Sequence, residues 1–165
     1  MVVALVWVII TLIRARHAPL STALNKSIPE ALGVGGILTI IAFAVPPDPG
    51  VQTTINLVPL VGLVQRLSSF DQEITLINVV GNIALFLPIG AAIVWRFGRR
   101  IRDALAVGIV LSLAVELLQL ALNNGRSVDI DDVIVNGLGT LFGAIGMRLI
   151  LWASVRSRAR VTTRT

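Results

Sequence analysis

The chain has 165 residues, 55% of them hydrophobic and only 14% charged, with a mean hydropathy of +0.88 and a net charge of +5. A soluble domain carries about a quarter of its residues as charges, so the composition excludes one and points to a single all-α, polytopic membrane helix bundle over residues 1–165. The absence of cysteine excludes disulfides, zinc–thiolate sites and thiol nucleophiles, and a lone His17 excludes a histidine-rich metal centre, so neither a metal nor another cofactor is expected.

Five apolar stretches can be measured against the roughly 20 residues a helix needs to cross the hydrocarbon. Residues 2–13 would reach only about 18 Å. No positive region precedes them and Ile13, Arg14, Ala15, Arg16 make a poor cleavage site, so an uncleaved short helix is expected rather than a signal peptide. The second stretch covers 28–46. In the connection 47–73, Pro46, Pro47, Asp48, Pro49 and Gly50 form a turn, and residues 56–63 are an apolar run broken by Pro59 and too short to span. That run reads either as a surface-lying or partly re-entrant segment capped by Asn56, or as a loop packed on the bundle. Three further spans follow near 74–95, 104–122 and 132–153, and residues 154–165 form a basic tail.

Eleven of the fourteen basic residues fall in three segments: Arg14, Arg16 and Lys26; Arg96, Arg99, Arg100 and Arg102; and Arg156, Arg158, Arg160 and Arg164. These alternate with two acidic connections, so five spans with the N-terminus out and the tail in the cytoplasm satisfy the positive-inside rule. The basic runs have no aromatic or Gly-rich interleaving, which favours anionic membrane lipid as their partner over nucleic acid.

On this topology the polar residues of the last three spans share the outer leaflet. Asn78 and Asn82 lie about 6 and 12 Å below the surface, Glu116 and Gln119 about 9 and 5 Å, and Asn136 about 7 Å, with Asp132 at the surface. Each helix carries them as one stripe: 78 and 82; 116, 119 and 123; 132, 136 and 140. Three stripes at one depth can meet in a pocket opening outward, with Arg126 and Asp129 at its rim. Glu116 is then placed to hydrogen-bond Asn82 or Asn136 across the bundle. Ala104, Gly108 and Ser112 on one span, and Gly139 and Gly143 on the next, have the small-residue spacing that lets helix backbones approach.

The blocks Asn78-Val-Val-Gly-Asn82-Ile-Ala-Leu-Phe86-Leu-Pro88-Ile-Gly90, Glu116-Leu-Leu-Gln119 and Arg126-Ser-Val-Asp129-Ile-Asp131-Asp132-Val-Ile-Val-Asn136-Gly137-Leu-Gly139 resemble, in order and spacing, the signature blocks of the VanZ-like family. The likeness covers roughly residues 56–150, and Leu60 stands where the family often has an aromatic residue. The resemblance implies a small multi-pass protein of the bacterial plasma membrane, in a family whose namesake confers low-level teicoplanin resistance.

The cluster admits several readings. Its amides and acids can fix the helix register. They can bind an amphiphilic or anionic envelope ligand, lipid-linked or lipoglycopeptide, with Arg126 on a phosphate or carboxylate. They can also act as paired acids on a lipid-linked substrate, Glu116 with Asp132 or Asp129, although no nucleophile motif accompanies them. Ion passage through Glu116 is disfavoured, because the inner halves of the spans carry no continuing polar path. The orientation is open to direct measurement: in intact cells a cysteine at Ser127 is expected to react with an impermeant thiol reagent and one at Ser157 to stay protected. The opposite pattern would invert the topology.

Overall fold

The computed structural model describes residues 2–44, 46, 54–68, 72–122, 125 and 128–162. Among the described residues six helices occur in the order α1 (Val2–Ala15), α2 (Leu20–Ala44), α3 (Val61–Leu67), α4 (Gln72–Phe97), α5 (Ile101–Leu122) and α6 (Ile130–Thr162). Two-residue strands, β1 (Ile55–Asn56) and β2 (Val128–Asp129), pair in parallel and join the loop before α3 to the loop before α6. Four of these helices are long and apolar enough to cross a membrane, counted among the described residues, over Leu20–Phe43, Gln72–Phe97, Ile101–Leu122 and Ile130–Ser157. At 14 residues, α1 reaches roughly 21 Å and is the short helix that its sequence suggests.

The helix faces are sorted in the sense a lipid solvent requires. On α5 the large residues Val107, Val110, Leu113, Leu117 and Leu120 are exposed, whereas Ala104, Gly108, Ser112, Glu116 and Gln119 are buried. Buried positions three or four apart make one continuous stripe, so the small-residue motif and the polar motif of this helix are two halves of the same face. Hydrocarbon tails satisfy the leucines and valines, and close approach of backbones supplies the packing energy.

That approach is tightest around α6. It runs parallel to α4, with Gly139 against the Ile83 carbonyl, Gly143 against the Leu87 carbonyl and Gly90 of α4 against the Thr140 carbonyl. It runs antiparallel to α5, where Gly108 packs on the Thr140 side chain and Asn136 Nδ2 donates to Ser112 Oγ at 2.8 Å. On the far side of α4, α2 lies antiparallel, pairing Gly33 with Ala92 and Gly36 with Ile89 and Pro88. Pro88 removes one backbone bond from α4, yet the helix is continuous through it.

Two boundaries differ from the sequence reading. The second span starts at Leu20 rather than 28, taking Asn25, Lys26 and Ser27 into the helix that also holds Pro29 and Glu30. The Glu30 carboxylate is matched by Arg14 at 2.6 Å and Arg96 at 2.8 Å, so its charge is not left bare beside the apolar spans. Trp7 Nε1 donates to the Ser27 carbonyl at 2.7 Å and Trp95 Nε1 to Asn25 Oδ1 at 2.9 Å, tying α1, α2 and α4 at this same end. At the other boundary α6 continues to Thr162, through the start of the basic tail, about 50 Å in all. Arg156 sits 3.7 Å above the Trp152 ring there, a pairing suited to a membrane interface.

The α4–α6 contact makes a sharp expectation. A methyl on Gly143 would fall on the Leu87 backbone, whereas one on Gly146 would meet open space. Gly143→Ala should cost about 1–3 kcal/mol as overpacking, read as a lower thermal midpoint of the detergent-solubilised protein. Gly146→Ala should leave that midpoint unchanged.

Candidate functional site

At the end of the bundle opposite the Arg14–Glu30–Arg96 cluster lies a cavity of about 510 Å³. Its walls come from four spans and α3: Asn78 and Asn82 from α4, Glu116 and Gln119 from α5, Asp131, Asp132 and Asn136 from α6, with Leu63 of α3 and Ile40 and Phe43 of α2 closing it. The floor is apolar, formed by Leu85, Phe86, Val115 and Ile40. Phe43, Ile77 and Asn78 are exposed on its rim. A polar wall above an apolar floor, at this volume, has the dimensions of a small-ligand site.

A second, apolar groove of about 230 Å³ follows the seam of α2 and α4, lined by Gly35, Gly36 and Thr39 on one side and Ala84, Leu85 and Pro88 on the other. Leu85 belongs to both spaces, so the groove adjoins the polar cavity.

Carboxylates and amides behind the cavity hold the loops that roof it. Asp131, 1% exposed, accepts from the Leu60 N–H at 2.5 Å and the Leu63 N–H at 2.9 Å. It thereby caps the N-terminus of α3 from another helix, a task the apolar Leu60 cannot perform with its own side chain. Leu60 itself adopts a positive φ of 65°, an uncommon conformation for a branched residue, at the point where Asp131 holds its N–H. Asp129 accepts from Asn56 Nδ2 at 3.0 Å and from the Asp131 N–H at 2.9 Å, and its own N–H donates to Glu116 Oε2 at 3.1 Å. Gly62 lies inside this knot, where a Cβ would come within 2.5 Å of Asn56 Nδ2.

Of the residues singled out from the sequence, Asn78, Asn82, Glu116, Gln119, Asp132 and Asn136 all line this one cavity. Arg126 lies outside the described residues. Asp129 is not at an aqueous rim: it is 3% exposed and fully engaged under the loop, because two donors replace the water it would otherwise need. Asn56 does not cap a helix. Its Oδ1 accepts from the Val58 N–H at 3.2 Å, the side-chain turn common for asparagine, and α3 begins only at Val61. Among the described residues, Glu116 bonds neither Asn82 nor Asn136; its Oε2 takes the Asp129 N–H, while Asn136 bonds Ser112. Asp131 and Ser112 are the residues the stripes do not reveal as polar partners: one looks like part of an acidic loop, the other like part of a small-residue face.

A family model described as VanZ/LLP1 matches residues 1–151 of the chain. No curated protein and no solved structure matches it.

The cap supplied by Asp131 should be measurable in isolation. Asp131→Ala leaves two backbone donors without their acceptor, a loss of about 1–3 kcal/mol. Hydrogen–deuterium exchange at Leu60 and along α3 is expected to quicken in that variant while the middle of α5 stays protected. Asp131→Asn, which keeps one acceptor oxygen, should fall between.

Proposed function

The chain belongs to the VanZ/LLP1 family, and on that premise we propose that it is a non-enzymatic, multi-pass protein of the bacterial plasma membrane that binds an amphiphile of the cell envelope. The polar head would lie in the cavity between α4, α5 and α6, and the acyl chain would follow the groove between α2 and α4. The observation that carries this reading is the adjacency of the two spaces through Leu85, a polar chamber joined to an apolar channel. Such a pair fits a molecule with both characters and is more than helix register alone requires.

The side of the membrane follows from charge. The ends of α1, α4 and α6 and the starts of α2 and α5 gather Arg14, Arg16, Lys26, Arg96, Arg99, Arg100, Arg102 and Arg156, whereas the cavity end carries Glu73, Glu116, Asp129, Asp131 and Asp132. Under the positive-inside rule the cavity opens to the outer leaflet, where envelope precursors and glycopeptide drugs are met. We therefore extend the proposal to lipoglycopeptide tolerance of the teicoplanin type, since an acyl tail is what distinguishes teicoplanin from vancomycin as a candidate for the groove.

Gly81 gives a clean test, because it lines the cavity and nothing lies within 4 Å of the Cβ it lacks. Gly81→Leu should fill the chamber without disturbing helix packing, and leucine is the better helix former by up to about 1 kcal/mol. In a sensitive Gram-positive host the wild type is expected to raise teicoplanin but not vancomycin tolerance. At equal membrane abundance Gly81→Leu should abolish that difference and lose the lipid that co-purifies with the wild type. A filled cavity that leaves both readouts intact would remove the cavity from the function.

A further inference from the structure

Residues 55–64, which roof the cavity, turn an apolar outer surface away from the bundle. Ile55, Leu57, Val58, Leu60, Val61 and Val64 are each between 46% and 69% exposed. Gly62 and Leu63 turn inward, Gly62 onto Asn56 and Asp131 and Leu63 into the cavity wall. From Thr54 to Ser68 the sequence carries one charge, Arg66 near the end of α3. In water such a run would be an exposed apolar patch, which is rare unless something covers it.

The backbone indicates what covers it. The Val58 N–H donates to Asn56 Oδ1, the Leu60 and Leu63 N–H groups to Asp131, the Val64 N–H to the Leu60 carbonyl, and the Val128 N–H of β2 to the Thr54 carbonyl. Pro59 has no N–H to place. A loop facing water can leave such groups to the solvent, whereas irregular backbone at a membrane must find its partners in protein. The depth agrees. Measured from Arg96 along α4, roughly 30 Å of hydrocarbon ends near Ile77. The register of α4 on α6, Ile83 at Gly139 and Leu87 at Gly143, sets Asp131 level with Thr75. Since Asp131 holds the start of α3, that helix lies in the layer where hydrocarbon gives way to head groups. On α4, Ile74, Leu76 and Ile77 are exposed around this level, so the lipid-facing surface of the span reaches the height of the roof.

We propose that residues 55–64 form an in-plane membrane segment, seated on the acyl chains of the leaflet at the cavity end, with Asn56 and Asp131 taking the place of water for its backbone. Leu57, Val58 and Val64 then contact lipid as the apolar face of an interfacial element does. The seat holds for either orientation of the chain and does not require an amphiphile in the cavity.

The chain has no cysteine, so single fluorescent labels can be placed at will. Bimane is attached to Val58→Cys and to Val64→Cys, with two references: Val110→Cys on the exposed face in the middle of α5, and Arg99→Cys in the connection between α4 and α5. Each full-length variant is reconstituted in phosphatidylcholine nanodiscs, which leave both faces open to aqueous iodide, with lipid brominated either near the head group or near the chain end. At positions 58 and 64, bromine near the head group is expected to quench at least threefold more strongly than iodide, and more strongly than bromine near the chain end. Val110→Cys should reverse the order of the two lipids, and Arg99→Cys should respond chiefly to iodide. Both test positions are exposed and lie on either side of Leu60, so one still reports if the other variant misfolds. Strong iodide quenching at 58 and 64 with none from either lipid would make the segment a water-facing loop and overturn the membrane seat. Protection from all three quenchers would overturn it as well, by placing protein, a second copy or another chain, on the apolar surface.

Discussion

Three helix backbones converge on Thr140. Its carbonyl meets Gly90 of α4, its side chain fills the space left by Gly108 of α5, and its hydroxyl bonds back to the Asn136 carbonyl on its own helix at 3.1 Å. In lipid, no hydrophobic force between helices presses them together, so contact distance itself decides which helices associate. Glycines at 90, 139 and 143 allow that distance to shrink to backbone contact between α4 and α6, and Gly108 lets α5 close on the Thr140 side chain. One turn above Thr140, Asn136 is consequently held against α5 at a fixed depth, and the same packing brings Asn82 of α4 and Glu116 of α5 to the walls of one chamber. The cavity lies above the level at which the helices meet tightly, and the α3 segment and its polar knot close over it.

That knot explains how a membrane bundle tolerates so many acids at one end. Burying a carboxylate is costly unless donors replace its hydration. Asp129 and Asp131 obtain theirs from an amide side chain and three backbone N–H groups, and Glu116 obtains one from Asp129. Scaffold and site are thus divided within the cluster rather than opposed. Asp129, Asp131 and Asn56 fix loops that no periodic packing would fix, while Asn78, Asn82, Gln119 and Asp132 face the chamber. Glu116 and Asn136 belong to both, lining the chamber while bonding the Asp129 N–H and the Ser112 hydroxyl.

The spans, the lipid-facing stripes and the small-residue faces were legible because they depend on periodicity, which a linear sequence displays directly. Six cavity residues were legible for the same reason: each lies on a helix whose rotation and depth follow from spacing. What stayed hidden depends on contacts between residues far apart in the chain. Asp131 reaches donors about seventy positions earlier, and Arg14 and Arg96 reach Glu30 from two different helices. The early start of α2 was hidden for the same cause, since Asn25, Lys26 and Ser27 look like the end of a loop until the partners of Asn25 and Ser27 on α4 and α1 are known. Side-chain-to-backbone capping also leaves no stripe, so an aspartate serving it is indistinguishable in sequence from one facing water.

The division of polar ties along α2 bears on how a lipid could reach the chamber. At the end away from the cavity α2 is fastened to α1 and α4 through Ser27, Glu30 and Asn25. Along residues 31–43, among the described residues, the one side-chain hydrogen bond is from Thr39 to Gly35 of the same helix. The wall that α2 lends to the cavity is Ile40 and Phe43, and the groove beside it is lined by glycine, alanine, leucine and proline apart from Thr39. Apolar contacts between helices in a bilayer exchange for contacts with acyl chains at little net cost, because both surroundings are hydrocarbon. The side of the chamber closed by α2 is therefore the side where lipid can replace protein without breaking a hydrogen bond. By contrast, the α5–α6 wall is closed by the Ser112–Asn136 bond and the Gly108–Thr140 contact. For the amphiphile proposed above, that asymmetry favours entry from the membrane between α2 and α4 over entry between α5 and α6.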